Sequence, residues 1–148
     1  MATNTRFVLA LHVLTCLAIS APKPMRSEDL AFSVNTNATF IRALLLRLQE
    51  AHLTTSQLGT GGGALLNRLP EKIRLLDVYL AVEDGEVFGF HRNGPNEDCF
   101  IGKNIQAAIR PALDTATKAL ESQLSSMTIA DLASEVASLG EFTFAQSI

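Results

Sequence analysis

The side chains best suited to chemistry in this 148-residue chain are hydrogen-bonding groups clustered in its first half. Asn37, Thr39, Arg42 and Arg47 fall within a span of eleven residues. Arginine can donate two hydrogen bonds to a guanine edge or pair with a phosphate, and asparagine and threonine can bond either target. These residues are therefore candidates for contacts with DNA. The alternatives are solvated surface for the arginines and helix capping for Asn37.

The elements around these residues must place them on one surface. Residues 38–51 carry an apolar stripe with helical spacing, so Arg42 and Arg47 are expected on the exposed face of that helix. A shorter helix is expected to start at Ser27, which would be its N-cap. Residues 35–37 are typical of a turn, because asparagine tolerates left-handed backbone. Two short helices joined in this way predict a helix-turn-helix.

A β-hairpin is expected directly after the helix-turn-helix. Residues 53–58 and 64–69 favour short strands, and the glycines between them supply the positive φ that a tight turn needs. In this position the hairpin would be a wing. Thr60 and Gly61 at its tip and Arg68 at its base are further candidates for DNA contacts. A nucleotide-binding P-loop is not expected, because no lysine follows the glycines.

The second half of the chain predicts a long helix from Asn104 to about Met127. Its apolar line runs for about six turns, which is more than one small domain needs to cover, so we expect this helix to pair in a homodimer. Pro111 is expected to kink the helix or delay its start. Thr128 is expected to cap a last helix.

These elements predict a mainly α fold with a small β-hairpin wing. We expect residues 1–83 to form the winged helix-turn-helix domain, 84–103 a linker or sensor loop, 104–138 dimerisation helices, and 139–148 a tail. The apolar segment Phe7–Ile19 is expected to be the first helix of the domain. The alternative is a signal peptide cleaved near Ala21.

Charge and composition narrow the class of protein. Residues 1–69 hold six basic and three acidic groups, for a net +3, whereas residues 70–148 hold six basic and twelve acidic groups, for a net −6. A basic half favours an anionic partner such as DNA. No apolar run reaches the roughly 18 residues of a membrane helix. Two cysteines favour a reducing, cytoplasmic setting, and no arrangement of catalytic residues predicts an enzyme.

Cys99 is the cysteine whose position favours a reactive thiol. It precedes a helix start, where the helix dipole favours the thiolate, so it is a candidate redox sensor; a structural cysteine is the alternative. Cys16 is expected in the core. We expect no metal site, since His91 and Cys99 alone are two ligands, and no iron–sulfur cluster, which needs about four.

The order of these features resembles a known family. An apolar first helix, a helix-turn-helix, the sequence Gly59-Thr60-Gly61-Gly62-Gly63 and the helix Leu75–Glu83 with the sequence LLDVYLAVE resemble the Rrf2 family of bacterial winged-helix transcription regulators. The stretch 95–106, with the sequence PNEDCFIGKNIQ, resembles the YwnA-like subgroup of that family. The resemblance covers roughly residues 5–135. Cluster-binding members have three cysteines in the loop before the long helix, and here that loop has only Cys99.

The resemblance implies a homodimer that binds palindromic operators in double-stranded DNA, with repression as the favoured mode. A small-molecule or redox effector is an open possibility. Two departures favour an alternative: Leu58 stands where the family usually has an arginine, and Ala64 where a tyrosine is common. That alternative is a winged-helix protein-interaction module with weak or lost DNA binding.

Overall fold

The computed structural model describes residues 5–142, and the outermost residues of the expected tail, 143–148, lie outside that range. Six helices and one hairpin follow one another in the described part. They are α1 (Thr5–Ser20), α2 (Ser27–Val34), α3 (Ala38–Glu50), β1 (Thr54–Gln57), β2 (Gly63–Leu66), α4 (Leu75–Val82), α5 (Phe100–Ser125) and α6 (Ile129–Leu139), with a 3-10 turn at Pro70–Lys72 before α4. The expected mainly α fold with a hairpin wing is confirmed.

Helix α1 lies at the centre of the core. Its residues Ala10, Val13 and Leu14 are fully buried, and the helix packs against α2, α4, α6 and the hairpin. The residues that a signal peptide would have removed are therefore a structural helix in this fold. No helix in residues 5–142 is long and apolar enough to cross a membrane.

The helix-turn-helix consists of α2 and α3. Asn35 takes the left-handed conformation that ends α2, with φ of 63°, and Asn37 caps α3 by accepting a hydrogen bond from the Phe40 amide at 2.8 Å. Ser27 is the first residue of α2 rather than its N-cap. Arg26 occupies the cap position without a side-chain capping hydrogen bond, and its guanidinium instead donates to the Asp29 carboxylate at 3.3 and 3.4 Å.

The hairpin is shorter than the sequence pattern indicates, with four residues in each strand. It pairs Thr54 with Leu66 and Gln57 with Gly63 in antiparallel register. Two backbone hydrogen bonds between Met25 and Ala64, of 3.1 and 2.8 Å, join β2 to the segment before α2. This bridge fixes the wing beside the helix-turn-helix.

Helix α6 packs on α1 and belongs to the same core. Ile129 and Ala133 are fully buried in it, although the sequence analysis grouped α6 with the dimerisation helices. Thr128 caps α6 as expected: its side chain accepts from the Asp131 amide, and the Asp131 carboxylate accepts from the Thr128 amide. Backbone hydrogen bonds from Leu75 to Met127 and from Ile129 to Ile73 hold this junction against the start of α4.

Helix α5 is the longest element, with 26 residues, and none of them is buried. It begins at Phe100, four residues before the predicted start, and ends at Ser125. Pro111 lies inside it and does not delay its start. The early start has a local reason: the Cβ of any larger residue at Gly102 would collide with the carbonyl of Asn96, so glycine lets the chain turn closely into the helix.

Candidate DNA-binding surface

One face of α3 is exposed along its length. Thr39, Arg42, Leu46 and Gln49 are spaced by three, four and three residues, which places them on one side of a helix. The opposite side buries Ile41, Leu44 and Leu48 in the core. The face therefore presents hydroxyl, guanidinium, apolar and amide groups to solvent. The sequence analysis did not include Leu46, which is 58% exposed. Its helical spacing from Thr39 and Arg42 indicates that it lies on the same face.

Arg42 lies at the middle of this face. Its guanidinium is 3.5 Å from a carboxylate oxygen of Glu28 on α2, and 57% of its side chain is exposed. Exposed pairs of this kind contribute little to stability, so the guanidinium can exchange this partner for another anion at small cost. Arg42 is thus held near the surface and remains accessible.

Asn37 and Thr39 lie at the N-terminal end of the same helix. The Asn37 side-chain oxygen is occupied by the cap, which leaves its amide NH₂ group as a donor. Thr39 is exposed in the first turn. Backbone N–H groups at a helix start carry partial positive charge, so this end of α3 suits a phosphate.

The wing stands beside this face. Thr60 and Gly61 are exposed at its tip, where Gly59 and Gly61 have φ of 89° and 77°. Leu58, just before the tip, is 89% exposed. Ala64, which stands where a tyrosine is common in the family, pairs with Met25 and is buried. In this chain the position therefore belongs to the core.

A groove of about 270 Å³ separates the wing from α3. Arg42, Leu46 and Gln49 line it on one side, and Ser56 of β1 lies opposite. The Ser56 hydroxyl donates a hydrogen bond to the Gln49 side-chain oxygen at 3.3 Å. The exposed face of α3 and the strands of the wing therefore line one shared groove.

Arg47 does not share the exposed face with Arg42, contrary to the sequence analysis. Five residues along a helix correspond to a rotation of about 140°. Arg47 donates to the carbonyl of Val82 at 3.0 Å and pairs with Asp84 at 3.0 Å. Arg6 of α1 donates to the same carbonyl at 2.9 Å. Arg47 thus ties α3 to the end of α4, and its hydrogen bond lowers the pKa of the Asp84 carboxyl.

Arg68 is exposed at the base of the wing, as expected. It donates to the carbonyl of Ala51 at 3.3 Å, at the C-terminal end of α3. Positive charge there is favourable because the unpaired carbonyls at a helix end carry partial negative charge. The structure therefore gives Arg68 a capping role in addition to its surface position.

Cys99 caps the start of α5 and is exposed. Backbone hydrogen bonds from Gly102 and Ile101 lower the pKa of its thiol. Cys16 is half-buried rather than fully in the core; its sulfur lies 3.4 Å from the Ser33 hydroxyl, which also contacts His12. The two cysteines lie on different elements.

The chain matches the model of the Rrf2 family, described as "Iron-dependent Transcriptional regulator", over residues 3–135. It belongs to the Rrf2 family. The "Putative HTH-type transcriptional regulator YwnA" of Bacillus subtilis (strain 168) is 38% identical over 130 residues, which cover 87% of this chain and 95% of YwnA. The expectation of a transcription regulator rather than an enzyme is confirmed by this family.

Solved structures of other proteins have a similar fold. A crystal structure titled as that of a "putative DNA binding protein" has a TM-score of 0.70 at 32% identity and covers 86% of this chain and 98% of its own. CymR, titled the global cysteine regulator of B. subtilis, has a TM-score of 0.68 at 24% identity and covers 91% of this chain and 98% of its own. The winged-helix DNA-binding architecture is therefore shared.

The family description mentions iron, but residues 5–142 do not offer a set of ligands that fits an iron centre. In residues 5–142, no three histidine, cysteine or carboxylate side chains are arranged to hold a metal ion. An iron–sulfur cluster needs about four ligands, generally thiolates. The chain has two cysteines, and Cys16 and Cys99 belong to separate elements.

Proposed function

We propose that this Rrf2 protein is a sequence-specific DNA-binding transcription regulator that acts in the cytoplasm as a homodimer on palindromic operators. The observation that carries the proposal is the groove that the exposed face of α3 and the strands of the wing line together. Repression is the expected mode, because a bound dimer blocks access to the DNA that it covers.

In this proposal α3 enters the major groove of DNA. Arg42 bonds a guanine edge, and Leu46 packs on a thymine methyl group, since apolar contacts distinguish thymine in that groove. Asn37 and Thr39 bond phosphates at the helix start. The backbone at Thr60 and Gly61 contacts the phosphate backbone of the adjacent DNA strand. Arg47 contributes indirectly, by fixing α3 to α4.

The apolar strip of α5 supports the homodimer. Ile101, Ile105, Ile109 and Leu120 lie within about a third of the helix circumference, and each is at least 36% exposed. Alanines lie within this strip or at its edge and allow a second helix to approach closely. They are Ala108, Ala112, Ala116 and Ala119. A two-fold pairing would bury the strip and set two α3 helices about 34 Å apart, or a multiple of that, to match successive major grooves.

The test of DNA reading uses an operator selected from a random library by the wild-type protein. Arg42→Ala should weaken binding by about 1–3 kcal/mol, which is roughly 5- to 150-fold, in a gel-shift titration. Arg92→Ala removes the same charge from the exposed loop before α5 and is the matched control, with an expected loss below about threefold. Wild-type affinity should also fall steeply with salt.

Equal losses in the two variants would remove Arg42 from the reading surface. A wild-type protein that selects no operator at low salt would favour the protein-interaction module instead.

The homodimer is tested with glutamates in the apolar strip. Ile109→Glu and Leu120→Glu together should give folded monomers of 15.9 kDa by sedimentation that lose cooperative binding to the palindrome. Leu124 is unsuitable, because it packs partly against the chain's own core. A wild-type mass near 16 kDa at micromolar concentration would contradict the dimer.

We also propose that the regulator works without an iron–sulfur cluster, because the donors within the chain do not fit one. The protein purified anaerobically should be colourless, with iron far below one atom per chain. Stoichiometric iron with visible absorbance would contradict this.

A thiol-based response through Cys99 is a second candidate function. The observation in its favour is the exposed thiol whose pKa is lowered by two backbone N–H groups. A lower pKa means more thiolate at neutral pH, so Cys99 should react with iodoacetamide faster than Cys16. As the pH is raised, the rate for Cys99 should also reach its plateau at a lower pH than the rate for Cys16 does. Mass spectrometry of the two peptides measures this; equal rates would contradict it.

A further inference from the structure

A cleft of about 230 Å³ lies between α4, the loop that follows it and α5. Its walls include three aromatic rings, those of Tyr79, Phe88 and Phe90. None of the proposed DNA contacts lines the cleft. Its volume is below the roughly 300–1,000 Å³ of pockets for drug-sized ligands, so it suits only a smaller organic molecule.

The charges around the cleft are mostly negative. Glu86, Asp114 and Glu121 line it, and none of them forms an ion pair with another residue of the described range 5–142. Arg110 is the single positive charge among the lining residues. A ligand anion would meet a net negative wall, whereas a cation would be attracted.

Arg110 already forms a cation–π contact with one of the aromatic rings of the cleft. Its guanidinium carbon lies 4.6 Å from the centroid of the Phe90 ring, which is the geometry of a cation–π contact. The rings of Tyr79 and Phe88 complete the apolar part of the wall. Rings combined with unpaired carboxylates favour a molecule that has an apolar body and an ammonium group.

We propose that this cleft binds a small organic ammonium compound with an aromatic or aliphatic body, and that its occupancy changes the affinity for DNA. The second half of this statement rests on the proposed function. Helix α4 packs against both α3 and α5, so the cleft lies where the DNA-binding part meets the proposed dimer helix.

One contact links the cleft to α3 directly. Asp84 is adjacent to the lining residues Gly85 and Glu86, and it accepts a hydrogen bond from Arg47 of α3. A ligand that moves this loop therefore acts on the tie between α3 and α4. The coupling requires only that the ligand bind with different affinity when the Arg47–Asp84 hydrogen bond is formed and when it is broken.

The chain carries its own probe of binding. Tyr79 is the only tyrosine, and tryptophan is absent, so tyrosine fluorescence reports on the cleft without a label. Three compounds with the same ring and similar chains are titrated: phenethylamine, 2-phenylethanol and 3-phenylpropionate. We expect phenethylamine to bind at least about tenfold more tightly than either analogue.

Variants test the carboxylates. Asp114→Asn with Glu121→Gln should reduce this preference to below about threefold, because the negative wall is neutralised. Glu135→Gln on α6, outside the cleft, should retain it. Similar affinities for the three compounds, a preference for 3-phenylpropionate, or no fluorescence response at about 10 mM would overturn the proposal.

The coupling to DNA is measured separately, so its failure is distinct from a failure of ligand binding. Saturating phenethylamine should change the affinity for the selected operator by at least about fivefold. Asp84→Asn should bind phenethylamine normally and lose most of this change. An unchanged operator affinity for the wild-type protein would overturn the regulatory half. If no operator is found, the fluorescence titration still decides whether the cleft binds the cation.

Discussion

The core and helix α5 are stabilised in different ways. Helices α1–α4 and α6 each bury side chains in one shared core, whereas α5, the longest helix, buries none. Most helical stability in proteins comes from packing of an apolar face. Helix α5 has such a face but packs little of it within the chain. The core can thus fold by its own contacts, whereas in the proposed homodimer α5 would draw most of its stabilisation from the partner.

The core and α5 also treat charge differently. Arginines of the core region are tied to neighbouring carboxylates or carbonyls, as Arg47 and Arg74 are. Arg110, Asp114 and Glu121 of α5 form no ion pair within residues 5–142. Charged groups of α5 therefore remain available for a ligand, while those of the core mainly hold elements together.

The comparison is tested most strongly by removing matched side chains from the two regions. Leu14→Ala in α1 should lower the free energy of unfolding by about 2–5 kcal/mol, because it leaves a cavity in a fully buried site. Ile109→Ala in α5 should cost less than about 1 kcal/mol in the monomeric background of Leu120→Glu. Urea denaturation measures both. Similar losses would show that α5 is part of the core.

Pro111 offers the next largest effect. Its ring removes the N–H that would bond the Ala107 carbonyl, so Pro111→Ala should stabilise α5 by up to about 3 kcal/mol. Circular dichroism should show a higher thermal midpoint or more helix. Pro95→Ala in the preceding loop is the control and should raise neither. A lower midpoint for Pro111→Ala would contradict the expected gain.

Glu71 is an unsatisfied polar group beside the core. Both of its carboxylate oxygens are buried without a hydrogen-bond partner among residues 5–142, and the turn that carries it packs on α6. Glu71→Leu should raise the free energy of unfolding by about 1–2 kcal/mol, because the unpaired group is removed. Glu135→Leu on the exposed side of α6 should change it little. Destabilisation by Glu71→Leu would mean that the carboxylate has a partner in solution.

The smallest effect on stability is expected at the N-terminal cap of α6, which follows α5. Thr128→Ala removes the side-chain cap of α6 and should cost about 1 kcal/mol. Thr115→Ala on α5 removes a hydroxyl that bonds the Pro111 carbonyl at 2.9 Å within the helix, and it should be near neutral. Thermal unfolding of the pair measures the difference; equal shifts would contradict it.

Local sequence signals identified most of the elements correctly. Asn35, Asn37, Thr128 and the wing glycines act through their own backbone or the next turn, so their roles follow from residue type and spacing. The early start of α5 was missed, because Gly102 owes its place to a close approach of Asn96. The packing of α6 was also missed, since an amphipathic pattern does not say which partner covers the apolar face.

The sequence by itself determined the helix-turn-helix, the wing and the exposure of Arg42, because helical periodicity and glycine conformation are local properties. Only the tertiary structure decided that Arg47 turns to Val82, 35 residues away, and that Glu28 pairs with Arg42. It alone assembled the cleft from α4, a loop and α5. The physical reason is that these contacts join residues distant in the chain, and no local pattern encodes which distant residues will meet.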